Sequence, residues 1–287
     1  MNKIEEFLII GGDRRQLYMA DYLEEKGYRV SVYGLPEKGR ECVKDLKKAV
    51  AGAQGIILPL PVTRDGKYVY SVVLVKETLD ETAAMFTARH TVFGGMLSRT
   101  LKSRLEKSGA AIYDYFERED VTLMNSVPTA QGILKTMLEN IEFTVHSSNC
   151  AVFGYGRIGK VTADVLSAVG ARVTVCVRKK SDIVLAEVNG YNGCLIKDFC
   201  NTAAEFDVII NTVPAMVIDK NILENVRADC LIIDVASAPY GTDFTAADEL
   251  GINALQCSSL PGKTAPKTAG KIIVQGILNT LKESEYE

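Results

Sequence analysis

Cys150-Ala151-Val152-Phe153-Gly154-Tyr155-Gly156-Arg157-Ile158-Gly159 decides how this chain folds. Cys150 to Phe153 reads as a short apolar strand, and the six residues after it are a complete G-x-G-x-x-G. A helix-like stretch follows over Lys160 to Val169, then a turn at Gly170 and a second strand over Arg172 to Val177. Strand, glycine turn, helix and strand in that order are the setting in which the motif binds a dinucleotide. Gly154 permits the tight turn, Gly156 has no Cβ to block a pyrophosphate, and Gly159 lets helix and strand pack closely. The pyrophosphate would rest on the positive end of the helix, beside Tyr155, Arg157 and Ile158. The plainer alternative is a βαβ turn with no ligand.

The end of the second strand bears on which dinucleotide. An NAD site usually carries Asp or Glu about 20 residues beyond the glycines, to hold the ribose 2′-hydroxyl. Here that place holds Arg178-Lys179-Lys180-Ser181, and Asp182 comes slightly late. Three cations and a hydroxyl suit a 2′-phosphate, so Arg178 and Lys179 favour NADP(H), with NAD(H) as the alternative. A solvated basic turn is the competing reading.

The chain has 287 residues, long enough for two domains, and is 47% hydrophobic, enough for a full core. Its formal net charge is −3 and no basic run exceeds three residues, which argues against nucleic acid as a partner. No apolar stretch approaches the ~18 residues of a membrane span. The first residues, MNKIEEFLIIGG, enter a strand at once and do not read as a signal peptide. The cysteines, at 42, 150, 176, 194, 200, 230 and 257, form no C-x-x-C and read as reduced, mostly buried thiols of a cytoplasmic protein. With only His90 and His146 and no ligand spacing, no metal site is expected.

Strand-like and helix-like segments alternate through both halves, so the expected fold is α/β with two Rossmann-like, doubly wound parallel-sheet domains. In the first half the strands are Phe7–Ile10, Arg29–Tyr33, Gly55–Leu60, Thr91–Phe93 and Ala110–Tyr113. Gly11-Gly12-Asp13-Arg14-Arg15-Gln16 follows the first of them, but no complete G-x-G-x-x-G occurs there. Residues 1–125 are therefore expected to form a substrate domain, with the helix at 265–287 packing back on it. Residues 126–264 are expected to form the NAD(P)-binding domain. In that domain three further strands end in the loops Thr212-Val213-Pro214, Val235-Ala236-Ser237 and Ser258-Ser259-Leu260-Pro261-Gly262. Loops at strand carboxyl ends line the ligand crevice of an open parallel sheet. Thr212, Val213, Pro214, Ala236, Ser237, Leu260 and Pro261 are accordingly expected at the cofactor.

Three helix starts are candidates for holding an anionic substrate. They carry Arg14 and Arg15, Ser126 and Thr129 around Pro128, and Lys267 and Thr268 after a cap at Thr264. Helix N-termini attract anions and arginine grips carboxylates bidentately, so a small dicarboxylate would suit them. One of the two arginines is expected to be only a solvated helix start. Arg118, in Phe116-Glu117-Arg118-Glu119-Asp120, is a further candidate, equally readable as a surface ion pair. No nucleophile–base pair stands out. Lys267, were burial to lower its pKa, and His146 are the candidate proton-transfer groups, with capping or packing as the bland reading of His146.

GGDRRQ (11–16), FERED (116–120), NSVPTAQG (125–132), GYGRIG (154–159), NTVPA (211–215), DVASAPYGTDF (234–244) and LPGKTAPKTAG (260–270) occur in that order. With these motifs, almost end to end, the chain resembles the A-subunit family of bacterial dipicolinate synthase. One departure is Ser259, where the family pattern leads one to expect glycine. The resemblance implies a pyridine-nucleotide oxidoreductase acting in the mother cell of a sporulating bacterium. It would oxidise a dihydrodipicolinate-type ring, derived from 4-hydroxy-tetrahydrodipicolinate, to dipicolinate. It further implies a domain arrangement like that of alanine and 2-hydroxyacid dehydrogenases, and the flavoprotein-like B-subunit of dipicolinate synthase as partner. A homo-oligomer stays open. So do two other functions: a different dehydrogenase of 2-oxo or amino acids, and a non-catalytic NADP-binding regulatory protein.

Overall fold

The structure is a computed structural model that describes residues 3–35, 40–73 and 75–284. The chain divides into two compact units, Met1–Asn125 with Ala265–Glu287, and Ser126–Thr264. Residues 1, 2, 36–39, 74 and 285–287 of the expected spans lie outside the described residues.

The first unit alternates β1 (Glu6–Ile10), α1 (Arg14–Glu25), β2 (Arg29–Tyr33), α2 (Leu46–Gly52), β3 (Gly55–Ile57), α3 (Leu79–Ala83), β4 (Thr91–Gly94), α4 (Arg99–Glu106) and β5 (Ala111–Asp114). The strands pair in parallel in the order β2-β1-β3-β4-β5. Phe7 to Ile10 of the inner strand β1 are fully buried, because helices cover both faces of the sheet. Successive side chains of β1 feed different cores: Leu8 and Ile10 one, Phe7 and Ile9 the other. The second of these cores is closed by Met19, Ala20 and Leu23 of α1 and by Ile273, Val274 and Ile277 of the last helix.

A long helix, α5 (Glu119–Asn140), begins in the first unit and ends in the second. It starts well before the expected position near Pro128, which instead lies in its interior. Glu119 and Asp120 in the first turn oppose the positive end of the helix dipole, and this start is favourable despite the later proline.

The second unit contains β6 (Asn149–Phe153), α6 (Arg157–Ala168), β7 (Arg172–Val177), α7 (Lys180–Val188), β8 (Asn192–Leu195), β9 (Val208–Asn211), α8 (Lys220–Leu223), β10 (Leu231–Asp234), α9 (Phe244–Glu249), β11 (Asn253–Gln256) and α10 (Leu260–Thr264). All six strands are parallel in the order β8-β7-β6-β9-β10-β11. Counted within the unit this is 3-2-1-4-5-6, the dinucleotide-binding order, whose direction reverses between β6 and β9. Val152, Val175 and Ile210 bury one face with Ala163 and Leu166 of α6. Ala151, Phe153 and Ile209 bury the other with Phe199, Phe206 and Ile222. Leu260 to Gly262, expected as loop, belong to the short helix α10. The chain then re-enters the first unit as α11 (Pro266–Glu283), with proline in its first turn. Its cap position is Ala265, not Thr264, and no side chain caps it.

Candidate functional site

The glycine turn sits where the strand order of the second unit reverses. Gly154 has φ +91°, a conformation that favours glycine, and its N–H donates to the Cys176 carbonyl at 2.9 Å. A Cβ at Gly154 would lie 2.6 Å from Thr212 Oγ1, and one at Gly159 would overlap the Gly154 carbonyl oxygen. A Cβ at Gly156 would meet nothing within 4 Å. Two glycines are thus required by the protein's own packing, while the third leaves open space. Gly156 is also the N-cap of α6, and no side chain bonds to that helix start. Open space beside uncapped amide groups fits a pyrophosphate. Arg157 is exposed as the first residue of α6, and Ile158 packs against the core. The half-buried Tyr155 ring lies 6.4 Å from that of Tyr191, with Lys160 Nζ 5.5 Å from its centroid.

One strand over, β7 ends at Val177 and hands on to Arg178 and Lys179, both exposed. Neither is in an ion pair among the described residues. Lys179 is the N-cap of α7, again without a side-chain cap bond. A second helix start therefore faces solvent with cations around it, which is suited to a phosphate monoester.

The other side of the switch point is organised by residues that sequence reasoning misses. Asn211 and Asp234 are almost fully buried and are register partners on β9 and β10. Asn211 Nδ2 donates to Asp234 Oδ2 at 3.0 Å and to the Val213 carbonyl at 3.1 Å, while Asn211 Oδ1 accepts from Val213 N–H. Asp234 also accepts from the N–H groups of Ala236 at 2.9 Å and Gly241 at 3.0 Å. The two side chains thereby hold the loops after β9 and β10. The one signal in the chain is that two apolar strands, DVIIN and CLIID, each end in one polar residue.

Of the expected cofactor residues in these loops, Thr212 and Val213 are half-buried, and Pro214 and Ser237 are exposed. Thr212 Oγ1 donates to the Phe153 carbonyl at 2.7 Å, and Ala236 is buried. Leu260 and Pro261 are a correction. Both are buried, and Leu260 fills the core so closely that a Cβ on Gly132 would lie 2.8 Å from its own. Their role in this structure is packing.

The first unit's glycine turn is closed by its own chain. Gly11 and Gly12 have positive φ, and Gly12 N–H donates to the Tyr70 carbonyl at 2.7 Å. A Cβ at Gly11 would lie 2.7 Å from that oxygen, and one at Gly12 would overlap the Gln16 side chain. Gln16 Oε1 in turn accepts from Asp13 N–H at 2.8 Å. Arg15 is only 3% exposed. Its guanidinium is held by Asp13 (Nη2–Oδ2 2.9 Å) and by the Leu60 carbonyl at 2.6 Å. Burial opposes both charges, but the pairing outweighs it, lowering the Asp13 carboxyl and raising the Arg15 guanidinium. Arg14, by contrast, is exposed and in no ion pair among the described residues.

Four further expectations are corrected. Arg118 is engaged by Asp120 (2.9 Å) and Glu283 (2.6 Å), so it ties α5 to α11 rather than offering a free charge. Ser126 and Thr129 are buried inside α5 and do not form a helix start. His146 precedes β6, at the amino end of a strand whose carboxyl end carries the glycine turn. It is exposed, bonded to Ser147 and stacked over Gly170. Lys267 and Thr268 do occupy the first turn of α11, but Lys267 is exposed and lacks the burial that a role as base requires. Among the described residues no cluster of His, Cys, Asp or Glu could hold a metal, and no helix is long and apolar enough to cross a membrane.

Known proteins resemble the chain along most of its length. Residues 6–116 match the family model of the N-terminal domain of the dipicolinate synthase A-subunit, and residues 129–240 that of the D-isomer specific 2-hydroxyacid dehydrogenase NAD binding domain. The chain is 31% identical to the dipicolinate synthase A-subunit of Bacillus subtilis over 97% of this chain and 96% of that one. The crystal structure of the dipicolinate synthase A-subunit from Bacillus halodurans superposes with a TM-score of 0.87 at 30% identity, covering 96% of this chain and 97% of that one. D-lactate dehydrogenase from Escherichia coli superposes at 0.62 with 12% identity over 98% of each chain, a likeness of fold alone.

Proposed function

The chain belongs to the dipicolinate synthase A-subunit family, and from that premise we propose that it oxidises a dihydrodipicolinate-type ring to dipicolinate with NADP+ as acceptor. It is an oxidoreductase with a nicotinamide-nucleotide-binding domain. The observation that carries the cofactor reading is the uncapped start of α6 at Gly156, open above the glycine and framed by Gly154 and Gly159. The cations Arg178 and Lys179 at the next strand end support NADP+ over NAD+.

With its pyrophosphate held at that helix start, the dinucleotide would supply the hydride acceptor. The chain's task is then to hold a flat dianion in register. Arg14, exposed at the first turn of α1, and Lys267 with Thr268 at the first turn of α11 are the groups we assign to its carboxylates. Loss of a hydride and a proton makes the ring aromatic, so the step is downhill and water suffices as proton acceptor. The immediate substrate would be the ring left when 4-hydroxy-tetrahydrodipicolinate loses water. The flavoprotein-like B-subunit of dipicolinate synthase is the partner this reading expects, in the cytoplasm of a sporulating mother cell.

The test is to mix the chain with 4-hydroxy-tetrahydrodipicolinate and NADP+, with and without the B-subunit, and follow nicotinamide reduction and dipicolinate formation. Turnover in either mixture supports the proposal. NADP+ binding without turnover in both would reduce the chain to a regulatory role. Turnover on pyruvate would identify a different dehydrogenase.

A further inference from the structure

We propose that Cys176 and Cys194 form a reversible thiol–disulfide site, oxidised by small-molecule disulfides, that lowers cofactor affinity at the glycine turn. The two are register partners on the parallel strands β7 and β8, so their side chains leave the same face of the sheet. Neighbouring strands lie about 4.7–4.9 Å apart. Disulfide-linked Cα atoms lie about 4.4–6.8 Å apart, which includes that spacing. β8 is the outermost strand and only four residues long, so it can adjust to the cross-link. Cys150 and Cys230, also fully buried, belong with strands that do not pair.

The environments of the pair divide the roles. Cys194 is half-buried, within reach of a small reagent, whereas Cys176 is fully buried. The neighbouring Cys176 thiol lowers the Cys194 pKa against its partial burial, while burial pushes Cys176 up; the Cys194 thiol donates to the Leu195 carbonyl at 3.3 Å. Cys194 thiolate therefore attacks the small disulfide first, forming a mixed disulfide and expelling one thiol. Cys176 gives up its proton and attacks Cys194 sulfur, forming the protein disulfide and expelling the second thiol. Two protein thiols are oxidised, one small disulfide is reduced to two thiols, and the atoms balance.

The link to the cofactor is short. The Cys176 carbonyl receives the Gly154 N–H at 2.9 Å, and Arg178 follows two residues later. Disulfides favour a Cα spacing of about 5.5–6 Å, wider than that between the strands, so the cross-link displaces β7 locally and shifts both. The inference rests on the dinucleotide reading of this unit and not on the identity of the substrate.

The experiment treats the full chain with glutathione disulfide, reads the intact mass, and measures NADP+ affinity by calorimetry before and after. The expected result is loss of two hydrogens, a rise in the NADP+ dissociation constant on the order of tenfold, typical of coupled sites, and reversal of both by dithiothreitol. Cys194→Ser should bind NADP+ like the reduced wild type and ignore the oxidant, and Cys176→Ala should stop at the glutathione adduct. A stable adduct on wild-type Cys194, with no internal disulfide, would overturn the proposal. So would a disulfide that leaves NADP+ affinity unchanged.

Discussion

The side-chain amide of Asn211 donates to the carboxylate of Asp234 over 3.0 Å, across two register-paired residues that end neighbouring buried strands. Asp234 is the shared acceptor for that amide and for the Ala236 and Gly241 N–H groups. Asp234→Ala strands these donors, and each stranded buried group costs about 1–3 kcal/mol. The variant should melt markedly lower and bind NADP+ weakly even when folded. An unchanged melting temperature would show that the loops are held by other contacts.

Gly156 and Gly159 should fail in opposite ways. Gly156→Asp enters open space, so the protein should fold and melt normally while calorimetry finds no dinucleotide affinity. Gly159→Ala meets the Gly154 carbonyl, so it should lower stability first. Retained affinity in folded Gly156→Asp would remove the pyrophosphate from this turn.

Arg178→Ala should weaken NADP+ by about 1–3 kcal/mol, the worth of a charge-assisted bond, and leave NAD+ nearly unaffected. Equal losses for the two cofactors, or none, would reduce the basic strand end to a solvated surface.

Arg14 and Arg15 should separate substrate binding from stability. Arg14→Ala should raise KM for the ring substrate with the melting temperature kept, because its charge is in no ion pair among the described residues. Arg15→Ala strands the partly buried Asp13 carboxylate and should cost roughly 3 kcal/mol, as when one partner of a buried pair is removed. Full activity in Arg14→Ala would move carboxylate binding to Lys267 and Thr268.

The Arg118 hydrogen bond holds the Asp120 carboxyl at about 2. An unfolded Asp titrates near ~3.9. A depressed carboxyl stabilises the fold above its unfolded value and loses that contribution as pH falls through its folded one. Asp120→Asn should therefore be slightly less stable than wild type at neutral pH, with the gap closing between about pH 4 and pH 2. A gap that persists in acid would assign the loss to geometry rather than charge.

The second unit was legible because its glycine turn, two flanking strands and basic strand end are contiguous in the chain. β8 was not, since Asn192-Gly193-Cys194-Leu195 lacks the β-branched alternation of a strand and is formed by pairing with β7. Pro128 suggested a helix start because proline favours one, yet tertiary packing carried α5 through it. The Asn211–Asp234 bond depends on β9 and β10 lying side by side, which no local pattern states. Arg14 and Arg15 are indistinguishable in sequence. Only the fold shows that one side chain turns inward to Asp13 and Leu60 while its neighbour faces water.

The closed turn at Gly11 and Gly12 has a consequence for how the protein titrates. Both units have the architecture that elsewhere receives nucleotides, but in the first the Tyr70 carbonyl and the Gln16 side chain already fill the space over the glycines. An isolated chain is then expected to take up dinucleotide along a single hyperbola in calorimetry, and a sigmoidal response would point to coupling between chains or with a partner.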